Sequence, residues 1–86
     1  MYKEKTELIF ETKDIAISSF LCACDGISFC GKYRLQSGEL IFQFSPKEQA
    51  EKLEQSYWQL CAPPIQPRKL FSAQRDLKDM IFGGRI

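Results

Sequence analysis

Four cysteines and no histidine limit the chemistry open to this chain. Cys22, Cys24, Cys30 and Cys61 have the right type and number for a tetrahedral thiolate zinc site. Their spacing is wrong for it. Zinc-binding pairs sit about two to four residues apart on a turn, where both thiolates converge. Cys22 and Cys24 fall in a segment of helical period, where they diverge by about 200° around the axis. Cys24 lies on the apolar stripe of that helix, where a thiol behaves as a small core hydrophobe. Free, reduced thiols are expected, with no metal and no cofactor. Without His there is no Ser–His or Cys–His nucleophile pair, and the usual physiological general base is missing. Glu48, Glu51 and Glu54 are the remaining acid–base candidates, and their spacing spreads them over a solvated helix face. Gly83-Gly84 follows a helix instead of preceding one, which is the wrong end for binding phosphate. The chain reads as non-enzymatic.

The side chains left with something to do are cations and one indole. Residues 61–86 carry five basic and two acidic groups, against three and five in residues 1–31, within a net charge of +1. Arg68 and Lys69 stand in the first turn of a helix, where the macrodipole disfavours cations by a few tenths of a kcal/mol or more. A local rule broken in this way is sometimes the mark of a site. Arg68 and Arg75 are two turns apart and share one outward face. Trp58 points about 100° away from Tyr57, which belongs to the buried stripe of its helix. It either packs under the Pro63-Pro64 turn or stands out as an anchor for a partner. The favoured reading is an interaction module that docks on a protein or nucleoprotein through Arg68, Lys69, Arg75, Lys78 and Trp58. The other is direct nucleic-acid binding, with Lys32 and Arg34 on the outer face of a hairpin joining Arg68 and Arg75. The isoelectric point of about 7.6 falls short of the value above about 9 typical of a dedicated nucleic-acid module.

These residues need elements to hold them, and the punctuation of the chain marks six. Leu8 and Phe10 alternate with charges in a strand. Thr12 or Asp14 then caps a helix of about 11 residues. Its stripe is Ile17, Phe20, Leu21 and Cys24, and Asp25-Gly26 ends it. From Ile27 to Gln36 the period is two, and Ser37-Gly38 reads as a two-residue hairpin turn. That turn sets Leu35 against Leu40, Tyr33 against Phe42 and Gly31 against Phe44, apolar opposite apolar. Ser45-Pro46-Lys47-Glu48 reads as a capping box opening a helix that buries Ala50, Leu53, Tyr57 and Leu60. Pro63-Pro64 stops it. The last helix starts at Pro67, turns Leu70, Leu77 and Ile81 inward, and closes at Gly83-Gly84.

The order is β-α-β-β-α-α, an α+β fold in which helices pack on a three-stranded sheet. A right-handed crossover would make the first strand parallel to the second, with the third between them. All 86 residues fit one domain. No apolar run reaches the roughly 20 residues of a membrane span and no signal-peptide pattern opens the chain, so a cytoplasmic protein is expected.

Three segments resemble a known family. Phe10-Glu11-Thr12-Lys13-Asp14 before a short apolar helix is one. Phe42-Gln43-Phe44-Ser45 entering a helix with Tyr57-Trp58 is another, and the run from Arg68 to Ile81 is similar to that family's last helix. The family comprises small prokaryotic and phage-borne proteins described only as a domain of unknown function. The likeness spans about residues 8–82. The Cys-rich first helix and Cys61-Ala62-Pro63-Pro64 depart from it. What it implies is a stand-alone accessory domain of a prokaryote or mobile element, for instance a phage anti-defence protein occluding a host immune complex. It brings no catalytic residue and no ligand.

Overall fold

The computed structural model describes residues 9–82, so Leu8 and the Gly83-Gly84 stop lie outside the described residues. Within them the chain runs β1 (Phe10–Thr12), α1 (Ile15–Ala23), β2 (Ser28–Arg34), β3 (Leu40–Ser45), α2 (Lys47–Trp58) and α3 (Pro67–Phe82). This is the α+β order read from the sequence. β3 is the central strand, antiparallel to both neighbours, in the sheet order β1-β3-β2. Strict alternation on β3 explains its place: Leu40, Phe42 and Phe44 are buried, while Ile41, Gln43 and Ser45 face the other side half-buried. The helices cover the Phe42 face, and the core joins Phe10, Ile17, Phe20, Leu21, Phe44 and Leu77.

α1 begins where the sequence places it. Asp14 Oδ1 accepts hydrogen bonds from the amides of Ala16 and Ile17 at 2.8 and 3.0 Å, and Thr12 Oγ1 accepts the Asp14 amide at 3.1 Å. The expected stripe of Ile17, Phe20, Leu21 and Cys24 is buried. Ser18 and Ser19 are buried as well, because α1 packs on both α3 and α2. The helix has 9 residues and would not stand alone; packing on two sides holds it.

The hairpin departs from expectation by one residue. Leu35 N–H donates to the Glu39 carbonyl at 2.8 Å and Gly38 N–H to the Leu35 carbonyl at 2.9 Å, so the loop is Gln36-Ser37-Gly38. Gly38, at φ 98°, supplies the left-handed residue that a three-residue loop needs. Tyr33 therefore stands opposite Ile41, Lys32 opposite Phe42 and Arg34 opposite Leu40. A slip of one residue exchanges the two faces of a strand. A bulge between Phe29 and Gly31 then exchanges them back. Phe29 is thereby returned to the core side, 5.5 Å from Phe44 and 6.4 Å from Phe42 between ring centroids. Tyr33 and Leu35, expected inside, are exposed, and Lys32 and Arg34 lie on the helix-bearing face rather than the outer one.

The capping box at Ser45 does not form. Ser45 still belongs to β3, paired with Ser28, and its Oγ receives the Cys30 thiol at 3.2 Å. Pro46 is the N-cap of α2, with no side-chain cap bond, and its carbonyl accepts the Ala50 amide at 3.0 Å. Ala50 is buried and Leu53 and Tyr57 half-buried, as expected, but Leu60 lies beyond the helix and outside the core. α3 keeps its expected start and its buried Leu77. No helix among the described residues is long and apolar enough to cross a membrane.

Candidate functional site

The C-terminus of α2 carries the least expected geometry in the fold. Leu60 N–H donates to the Tyr57 carbonyl at 3.2 Å and Cys61 N–H to the Ser56 carbonyl at 2.9 Å. That bond pair is a Schellman motif, whose turning residue is usually Gly because the backbone must enter the left-handed region. Here it is Leu60, at φ 61° and 93% exposed. A leucine there costs roughly 1–2 kcal/mol in backbone strain. Beside it, Trp58 is 60% exposed, its ring edge-on to Tyr57 at 5.1 Å and its Nε1 donating to Glu54 Oε2 at 3.5 Å. The indole does not tuck under Pro63-Pro64. Tyr57, Trp58, Leu60 and Ala62 together line an open depression.

Tyr57 also lines a second hollow, shared with Leu70, Phe71 and Gln74 of α3. Phe71 is 63% exposed. Arg75 and Lys78 follow it at i+4 and i+7, a spacing that puts the three on one row of the helix. Arg68 shares this outward side two turns before Arg75, and all three cations are exposed. Lys69 is turned away from the row: its Nζ pairs with Asp25 Oδ1 at 3.4 Å, beyond the end of α1. The structure thus brings Trp58, Leu60 and Phe71 to two hollows that share Tyr57, with Arg75 and Lys78 further along the α3 row. It does not join Lys32 and Arg34 to Arg68 and Arg75. β2 makes its substantial contacts with β3 alone.

Leu60 and Phe71 were missed in the sequence. Phe71 had a signal, since it stands about 100° off the Leu70–Leu77 stripe. Leu60 continues the α2 stripe, and only the turn at Gln59 removes it. The outer sheet face holds a further unforeseen group. Glu11 accepts hydrogen bonds from Tyr33 Oη and Gln43 Nε2, both at 2.9 Å, and the first of these raises the phenol above its usual pKa.

All four thiols are free. Burial, with Asp25 adding, pushes Cys24 up to about 11 against a smaller opposing effect of Lys69. Burial and Asp76 raise Cys22 too, while Cys30 and Cys61 are exposed and unbridged. Neither shifted thiol is a ready nucleophile, since the thiolate is the reactive form. Among the described residues no three Cys, Asp or Glu side chains gather as metal ligands would. No protein-family model matches the chain, and no curated protein or solved structure matches it either.

Proposed function

We propose that the chain is a non-catalytic interaction module. It docks on a protein or nucleoprotein partner through Trp58, Leu60 and Phe71, with Arg68, Arg75 and Lys78 along the margin and Lys69 behind them. Leu60 carries the reading. An apolar side chain 93% exposed, on a residue of positive φ, breaks two local preferences at one position. Such strain persists where something compensates for it, and burial of Leu60 and Trp58 by a partner would do so. The partner chemistry that fits is an apolar patch bordered by carboxylates, which Arg presents itself to bidentately. An accessory protein that occludes a host complex is one concrete form of this reading, in keeping with the family the sequence resembles.

The test is capture from nuclease-treated extracts by the wild-type chain and by Leu60→Asp. A partner retained by the wild type, lost by the variant and photo-crosslinked from position 58 supports the module. Binding that vanishes with nuclease and falls steeply with salt overturns it in favour of direct nucleic-acid binding, with Lys32 and Arg34 and, on a separate surface, Arg68 and Arg75 on the phosphates.

A further inference from the structure

β2 is the long edge of the sheet, and its residues are all exposed except half-buried Gly31. The opposite edge, β1, has only 3 residues. The bond from Leu35 N–H to the Glu39 carbonyl, at 2.8 Å, sets the phase of the ladder. In an antiparallel pair every second residue bonds inward. Tyr33 then bonds towards Ile41, and the backbone N–H and C=O groups of Lys32 and Arg34 point away from the sheet. Their side chains rise on the helix-bearing face, opposite Phe42 and Leu40, while Tyr33 shares the other face with Ile41. Arg34 Nη1 donates to the Gly38 carbonyl at 2.8 Å, which keeps the guanidinium at the hairpin end of this edge.

An uncovered edge is a template for another strand, and cations or a bulge on it are the usual guard. β2 has both. A second copy pairing antiparallel across Tyr33 would set Lys32 against Arg34, and pairing across Lys32 would set it against itself. Like charges directly opposite are destabilising. The same cations favour carboxylates in those positions. We propose that β2 accepts, by strand addition, an extended partner segment that alternates acidic and apolar residues. Its carboxylates would stand opposite Lys32 and Arg34, and its apolar side chains opposite Tyr33 and Leu35. This surface is separate from the α2–α3 row, so either can fail without the other.

The probe is a short acetylated peptide alternating valine and glutamate, titrated against the full chain beside its valine–lysine counterpart. The acidic peptide should bind at least about tenfold more tightly, and Lys32→Glu with Arg34→Glu should reverse the preference. Exchange of the Lys32 and Arg34 amide protons should slow in the complex. An acidic peptide N-methylated on its glutamates should not bind, because the residues opposite Lys32 and Arg34 supply the N–H groups that strand addition needs. Circular dichroism of the double variant checks that the hairpin is kept. No binding of the acidic peptide means that the cations only guard the edge. Equal binding of its N-methylated form, or protection on α3 instead, also overturns strand addition.

Discussion

Leu60 holds the clearest conflict between stability and use at the scale of one residue. Leu60→Gly should relieve the left-handed backbone, raising the urea midpoint and the unfolding free energy by about 1 kcal/mol once the freer unfolded chain is counted. The same change should weaken partner capture. A lowered midpoint would mean that Leu60 is packed rather than strained. Cys24 gives a second prediction. Its thiol pKa rises on folding from an ordinary 9.0 to about 11. Between those values the unfolded chain loses the proton and the folded chain keeps it, so stability falls as pH rises from about 9 towards 11. Cys24→Ala should flatten that part of the stability–pH curve. Identical slopes for the two proteins would show that the thiol is not held in the protonated form.

The two helix starts at the scale of elements are predicted to behave differently, although both open on a residue type favoured as a cap. Asp14 makes two bonds to the first turn of α1. Asp14→Ala should cost about 0.5–2 kcal/mol of unfolding free energy, read by denaturant titration. Ser45 is the last residue of β3 and makes no cap bond to α2. Ser45→Ala should stay within about 0.5 kcal/mol of wild type. A larger loss at Ser45 than at Asp14 would reverse the assignment of caps. The difference arises because Ser45 is already committed to pairing with Ser28, whereas Asp14 stands free between β1 and α1.

Across the whole molecule the charge is divided between surfaces that do not meet. Arg68 and Arg75 border the α2–α3 row, Lys32 and Arg34 the open sheet edge, and Lys69 is tied to Asp25. Arg68→Glu with Arg75→Glu should leave the midpoint within about 0.5 kcal/mol and sharply reduce docking of the partner captured through Trp58. Undiminished docking would reduce α3 to a lid on α1. The amino-acid order alone determined the sequence of elements, a cap at Thr12 or Asp14, the α1 stripe, the alternation of β3 and the buried Leu77. Each of these is a periodicity or a cap that residues within a few positions enforce. The hairpin register was decided by the tertiary structure, because a two-residue turn at Ser37-Gly38 and a three-residue loop ending at Gly38 both suit the same letters. Only the paired strand, with its bulge before Gly31, determines that Phe29 shares the face of Phe44 and Tyr33 the opposite one. The exposure of Trp58 and Leu60 was likewise settled by the path of the chain after Gln59. Periodicity says which side of a helix a residue occupies, but whether another segment covers that side depends on contacts between parts of the chain distant in sequence.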